Sequence, residues 1–313
     1  MLAYVLRRLL ATVPVMLVVA VLVFLMLRLT PYDPAAIIAG DNATSEQVAA
    51  IRTRLGLDQP IHTQFFIWGA RTLRGDFGES FYFKKQVSEL ILDRLEPTLS
   101  LTLVTIVLAV LIAVPLGVIA AWRHGGWLDR IVMGFAVLGF SVPVFVIGYL
   151  LIYAFAIQLG WLPVQGYQRI ALGVGGWLQR LILPALTLSV IYIALIARIT
   201  RTSVLEVMNE DYIRTARAKG QTEGRVLIRH ALANAAVPIV TVIGLGVALL
   251  IGGVVVTESV YTIPGLGRLT VDAVLARDYP TIQAVILLLS FAYVLLNLAV
   301  DLSYAFLDPR IRY

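Results

Sequence analysis

Hydrophobic and polar positions fall in long blocks along this chain. Six apolar runs, at residues 9–27, 98–122, 131–159, 181–199, 236–257 and 282–304, are separated by segments that carry most of the charge. A helix rises about 1.5 Å per residue and the hydrocarbon core of a bilayer is about 30 Å thick, so about twenty apolar residues cross it. The first run exceeds the apolar core of a secretory signal and lacks an A-x-A-like cleavage site, which makes it a retained span. The pattern predicts an all-α polytopic membrane protein with six transmembrane helices. Its expected divisions are a first transmembrane helix at 1–30, an external segment at 31–97 and a five-helix core at 98–313. An inner loop at 201–235 interrupts that core.

The side of each loop follows from arginine and lysine, which are retained on the cytoplasmic face. Arg7 and Arg8, Arg123 and Arg130, the basic stretch from Arg198 to Arg229, and Arg310 and Arg312 all fall on one side. The short loops of the other side hold only Arg169, Arg180, Arg268 and Arg277. Both termini are therefore expected to be cytoplasmic.

Composition sharpens this reading. The chain is 59% hydrophobic and 14% charged, with a mean hydropathy of +0.88, against about a quarter charged in ordinary soluble domains. Lipid must be its solvent. The net charge of +6 is spread over loops with no basic stripe interleaved with aromatics, so it reads as topology and not as nucleic-acid binding. With no cysteine, and with His62, His124 and His230 isolated, no metal-ligand spacing exists. The three lysines, Lys84, Lys85 and Lys219, close no phosphate loop. If ATP drives this protein, another chain must bind it.

Within the external segment, PYDP and LGLDQP are turn signals. Thr44 or Ser45 caps a helix over 45–55, and 64–73 reads as a second short helix before the RGDFGES turn. Asp76 and Glu79 lie on that turn, where a solvated loop is the simpler reading than a contact with a substrate amine. Pro143 interrupts the third run. Gly244, Gly246, Gly252 and Gly253 crowd the fifth, where small residues permit either tight helix contact or a pore-lining face. Pro143, Gly244, Gly252 and Gly253 are accordingly candidates for the pathway or its gate. Glu258, an ionisable group at the outer end of the fifth run, joins them.

The inner stretch at 211–234, DYIRTARAKGQTEGRVLIRHALAN, is the most strongly charged part of the second half. Its residue types predict a short helix with Tyr212, Ala216 and Lys219 at helical spacing. Gly220 ends that helix at positive φ, and a second helix follows from Thr222 and Glu223 to Asn234. Charge alone leaves a solvated linker as an equal alternative.

This stretch resembles the cytoplasmic loop of permease subunits of ATP-binding cassette importers, in their dipeptide/oligopeptide/nickel family. The superfamily loop reads Glu-Ala-Ala, three residues, Gly, and later Ile-x-Leu-Pro. Here Arg214, Thr215 and Ala216 stand at the first three positions and Gly220 at the glycine, while His230, Leu232 and Ala233 take the later ones. The Glu, the Ile and that Pro are absent. LTPYDPAAIIAG, LGLDQPIHTQFFIW, GDFGES, GWLPVQGY and ESVYTIPGLGRL are similar to dipeptide-type permeases elsewhere along the chain, with Tyr32 where glycine is usual.

The resemblance implies a type I importer permease fold in the inner membrane of a prokaryote, with no catalysis, cofactor or metal site of its own. ATP and Mg would be bound by two cytoplasmic ATPase subunits. A second, similar permease and an extracytoplasmic substrate-binding protein would complete the assembly. Asp211, Tyr212, Arg214, Thr215, Ala216, Arg217, Ala218, Lys219, Gly220, Arg229 and His230 would form the ATPase-coupling loop, with Ile213, Ala216 and Val226 as an apolar side buried in a partner groove. The Pro264–Gly265 turn would belong to the outer gate. Short peptides are the expected cargo, with glutathione, nickel complexes or opines as alternatives in the same class. A secondary transporter or channel is the rival outside it. Such a protein usually places charged groups inside its spans, and an intramembrane enzyme needs paired carboxylates or a nucleophile–base pair there. The runs are nearly free of charge.

Overall fold

The computed structural model describes residues 2–28, 35–36, 43–54 and 56–307. The PYDP turn with Tyr32 and the DPRIRY tail lie outside the described residues. Helices dominate. α1 is Leu2–Arg28, α2 Ser45–Arg54, α3 Ile61–Leu73, α4 Val87–Trp122, α5 Trp127–Ser141 and α6 Val144–Leu151, which continues as π-helical turns over Ile152–Gln158. α7 is Val174–Met208, α8 Asp211–Ala218, and α9 Glu223–Arg225, continued as π-helical turns over Val226–Leu232. α10 is Ala236–Val260, α11 Leu266–Leu275 and α12 Tyr279–Leu307.

Among the described residues, four helices are long and apolar enough to cross a membrane, or up to six spans if each of two bent pairs counts as one. One bend, of 107°, separates α5 from α6. It falls at Pro143, which takes the N-cap position of α6 and has no N–H to continue the ladder. The expected third span is thus two helices joined at a proline.

Two helices run past their expected limits. α4 starts at Val87, eleven residues before the apolar run, and carries Pro97 and Pro115 inside it. α7 is continuous over 35 residues, starting before the fourth apolar run and running on past it to Met208. No Gly or Pro follows Pro184 within α7 to stop it, and it ends only at Asn209. At α2 the sequence signal is exact in chemistry: Thr44 Oγ1 accepts from the Gln47 N–H at 3.3 Å while Gln47 Oε1 accepts from the Thr44 N–H at 2.9 Å. This is a reciprocal capping box.

The chain forms two compact units. One comprises Met1–Tyr4, Glu96–Arg268 and Leu295–Tyr313; the other comprises Val5–Leu95 and Leu269–Val294. In the first, α7 is the central helix, with Leu183, Leu188, Tyr192, Ile196 and Ala197 buried among residues of α4, α6 and α10. Lipid tails are as apolar as leucine, so close packing replaces the hydrophobic effect as the force between spans. Gly117 of α4 shows how close: a Cβ there would lie 2.6 Å from Thr200 Cβ and 2.7 Å from the Ala197 carbonyl oxygen on α7.

In the second unit a single carboxylate organises the start of α12. Asp278 is fully buried. It accepts from Ser80 Oγ at 2.5 Å, from the Phe81 N–H at 3.1 Å and from Thr281 Oγ1 at 2.6 Å. It therefore ties the Thr281 hydroxyl in the first turn of α12 to the 80–81 turn. At the outer end of α1, Phe24 meets Phe65 and Trp68 of α3 at ring-centroid distances of 5.1 and 5.5 Å. Arg28 donates to Gln64 Oε1 from Nε and Nη2 at 3.1 and 2.9 Å.

Candidate coupling surface and outer clasp

The inner surface is built from the end of α7. After Asn209 the chain turns, and α8 begins with Asp211 in its first turn and ends with Arg217 in its last, both signs favourable to the helix dipole. Asp211 pairs with Arg214 one turn on. The end of α8 is a Schellman motif: the Gln221 N–H donates to the Ala216 carbonyl at 3.2 Å and the Gly220 N–H to the Arg217 carbonyl at 2.9 Å. Gly220 has φ +76°, the left-handed conformation that glycine alone takes without cost. Arg217 then reaches over the turn to Glu223, with Nε–Oε1 at 2.8 Å. The helix, glycine turn and second helix read from the sequence are all present, although most of the second helix is π-helical.

The apolar side of this loop faces its own chain. Ile213 is 0% exposed and Val226 likewise. Val226, Leu227 and Ala231 are the buried residues of the π-helical turns. Leu227, Ala231 and Ala235 pack with Val118 and Ala121 of α4, Val204 of α7 and Ile239 of α10. This corrects the expectation that Ile213 and Val226 bury in a partner groove. Both are buried within the chain itself, and the loop is fixed to the inner ends of α4, α7 and α10 through Leu227, Ala231 and Ala235. What remains outside is Tyr212, 43% exposed, Ile228, 65% exposed, and the polar residues Arg214, Thr215, Arg217, Lys219 and Arg229, with Ala218 among them. Ala216 and His230 are half-buried. Tyr212, at this aqueous face, has its phenol pushed up by burial and by the nearby Glu210 carboxylate.

A second inner feature was not legible as a site. Asp129, at the start of α5, is buried, and Arg201 of α7 grips it through two nitrogens, Nε–Oδ1 at 2.5 Å and Nη2–Oδ2 at 2.7 Å. The Gly125 N–H donates to the same carboxylate at 2.9 Å, and His124 Nδ1 lies 3.3 Å from it. By charge placement alone, Arg201 counts only as one of the inner arginines of the Arg198–Arg229 stretch. The signal available was an aspartate at the first turn of an apolar helix, where a lone charge needs a partner.

On the outer side, Glu258 is fully buried and not on an exposed wall. Its carboxylate accepts from Thr98 Oγ1 at 2.6 Å and from the Arg268 N–H at 2.9 Å, while Thr98 Oγ1 accepts from the Leu266 N–H at 2.8 Å. The Ile263 N–H bonds back to the Glu258 carbonyl at 2.8 Å. Gly265 lies directly against the carboxylate, where a Cβ would collide with Oε1. Pro264 and Gly265 therefore form a turn folded over Glu258, and the carboxylate is a clasp holding the end of α10, the turn and the start of α11. Nearby, Tyr261 joins three elements: its hydroxyl lies 2.7 Å from Thr187 Oγ1 and donates to the Gly148 carbonyl at 3.2 Å.

The external loop is tied down by Tyr167, whose hydroxyl donates to Glu96 Oε1 at 3.0 Å and lies 3.1 Å from Ser100 Oγ. Burial pushes its phenol up. Of the glycine candidates, Gly244 lies against Val300 of α12, where no Cβ fits. It borders a shallow apolar groove of about 220 Å³ lined by Val240, Ile243, Val247, Leu296 and Ala299. Gly253 touches Leu188 and Tyr192 of α7, whereas Gly252 faces open space. Pro143, Gly244, Gly252 and Glu258 thus have different immediate surroundings: a helix break, a packed contact, open space and a buried clasp.

These features define a class: a polytopic helical membrane protein with a basic inner loop packed on the ends of three helices and a clasped outer turn. The chain belongs to the binding-protein-dependent transport system inner membrane component family, whose model matches residues 113–313. The companion model for the N-terminal part of such membrane components matches residues 1–102. A protein of Sinorhizobium fredii named "Probable peptide ABC transporter permease protein" is 57% identical over 310 residues, covering 99% of each chain. The glutathione transport system permease protein GsiC of Salmonella choleraesuis is 48% identical over 313 residues, 100% of both chains, and that of Escherichia coli K12 is 46% identical over the same span. Among solved structures, the inward-facing MetNI methionine ABC transporter aligns with a TM-score of 0.59 at 20% identity, over 70% of this chain and 96% of that one. The protein is a multi-pass inner-membrane permease subunit of an ATP-driven importer, a class that works with ATPase subunits.

Proposed function

We propose that this subunit forms half of the pathway by which short peptides enter the cell, with ATP and Mg held by two cytoplasmic ATPase subunits. A second, similar permease lines the other half, and an extracytoplasmic binding protein delivers the cargo. The observation that carries the coupling role is the seating of 211–234. Its apolar residues are spent on the inner ends of three spans, so a push on the exposed face of α8 moves those spans as one body. Tyr212 and Ile228 supply the apolar contacts of that face, and Arg214, Arg217 and Lys219 the charges for acidic groups around an ATPase groove. Pathway roles fall to Pro143, at the break between α5 and α6, and to Gly252, which faces open space. Gly244 and Gly265 serve close packing.

The cargo reading rests on the peptide permease relative at 57% identity; the glutathione permeases at 48% favour glutathione, itself a tripeptide, as the second reading. The test is purification of the tagged chain from native membranes, followed by uptake into proteoliposomes. Recovery of a second permease and two ATPases, with ATP-dependent uptake of labelled dipeptides, supports the proposal. A homo-oligomer without ATPase overturns it. Uptake confined to glutathione selects the second reading.

A further inference from the structure

The external helix α3 (Ile61–Leu73, IHTQFFIWGARTL) has two sides that the importer reading does not use. One side holds Phe65 and Trp68 against Phe24 of α1, with Gln64 bonded to Arg28. The other carries large exposed apolar residues: Phe66, whose ring edge meets Phe65 at 5.9 Å, is 71% exposed, Leu73 91% and Ile67 42%.

At 100° per residue, Leu73, Phe66 and Ala70 fall within one narrow arc of that exposed side, and Arg71 and Arg74 fall along its far edge. Phe66 and Leu73 therefore form one edge and the two arginines another, about a third of a turn away.

The depth of this helix is fixed by what it touches. Phe24 lies inside the apolar window Leu9–Met26, two residues from its outer end. At 1.5 Å per residue the Phe24 Cα lies about 3 Å inside the end of that window, and the rings of Phe65 and Trp68 lie 5.1 and 5.5 Å from its ring. Arg28, just beyond that level, is held by Gln64. A helix pinned there by one face, at the boundary of hydrocarbon and headgroups, presents its remaining faces to the bilayer surface and not to bulk water.

We propose that α3 is an interfacial anchor seated on the outer leaflet. Phe66, Ala70 and Leu73 lie among the upper acyl chains, and Arg71 and Arg74 contact lipid phosphates. The occupant of the exposed face is thus the membrane of the transporter itself. The consequence is that the outer segment of this subunit is held at a fixed height on the bilayer, independent of any binding protein.

The absence of cysteine allows a direct test in the full chain. Phe66→Cys, Leu73→Cys and Arg71→Cys are each labelled with a bimane fluorophore. The transporter is placed in nanodiscs of phosphatidylcholine and phosphatidylglycerol, with or without lipids spin-labelled near the top of the acyl chain. The expected result is about twofold quenching by spin-labelled lipid at 66 and 73 together with shielding from aqueous iodide, and the reverse at 71. Free access of iodide to 66 and 73, without lipid quenching, overturns the proposal. So does protection of those positions from both quenchers that appears only on adding the other protein subunits, because the face then docks a protein. Neither outcome depends on whether the cargo is a peptide, so failure here leaves the importer reading standing.

Discussion

At the scale of single residues, two positions carry separable consequences. Gly220 combines a left-handed φ with empty space where a Cβ would project. Size is therefore not its constraint; backbone conformation is. Gly220→Asn, which tolerates that conformation, is expected to keep most uptake, whereas the β-branched Gly220→Val loses it while reaching the membrane in normal amounts, at a local cost of about 1–3 kcal/mol. Uptake normalised to membrane-inserted protein distinguishes the two, and normal uptake by Gly220→Val removes the conformational argument. The Asp129–Arg201 pair answers to a different rule. Arg201→Ala strands a buried carboxylate and is expected to cost about 3–5 kcal/mol. The double variant with Asp129→Asn and Arg201→Met removes both charges and is expected to recover a good part of that loss. Thermal unfolding in detergent measures both, and a double variant no better than the single one disproves the stranded-charge account.

At the scale of elements, α8 is a helix with two assignments. Ile213 faces the core beneath the loop, and Tyr212, its neighbour in sequence, faces out. Ile213→Asp is expected to lower the amount of folded protein, since it buries an unpaired charge. Tyr212→Asp is expected to leave that amount unchanged and to reduce ATPase recovery in co-purification. Equal effects of the two substitutions on folded protein remove the two-faced reading. The same helix shows what was legible beforehand. Gly220, the helix before it and the start signal at Thr222 and Glu223 are local events, written in local sequence. Which face of α8 is buried depends on the rest of the fold: the loop seats on Val118, Val204 and Ile239, brought in by three other helices, and Ile213 is buried within the chain and not left for a partner groove. For the same reason Asp129 and Arg201, 72 positions apart, read as unrelated loop charges. Glu258 was singled out as an ionisable group at a span end, but its partner Thr98 lies 160 positions away. Its role as a clasp could not be inferred from its neighbours. The π-helical turns after Arg225 had no signature in composition at all.

At the scale of the whole molecule, the places of the membrane-length helices follow the blocks of apolar residues, which act through the bilayer and not through contacts. The limits of α4 and α7 do not, because a helix stops where its backbone loses partners and not where its side chains become polar. The length of α7 has an electrostatic consequence. Its 35 residues extend about 52 Å, against a hydrocarbon core of about 30 Å. Beyond the last residue of the apolar run, Ile199, nine more residues carry the chain about 13 Å further to Met208, past a headgroup layer of about 6 Å. With α7 upright, the arginines of α8 stand about 7 Å outside the headgroups, nearly one Debye length of about 8 Å, where the attraction of an anionic lipid surface has fallen to under half. A basic loop held flush with the headgroups would be occupied by lipid. Held on this stalk, its charges are left for a protein.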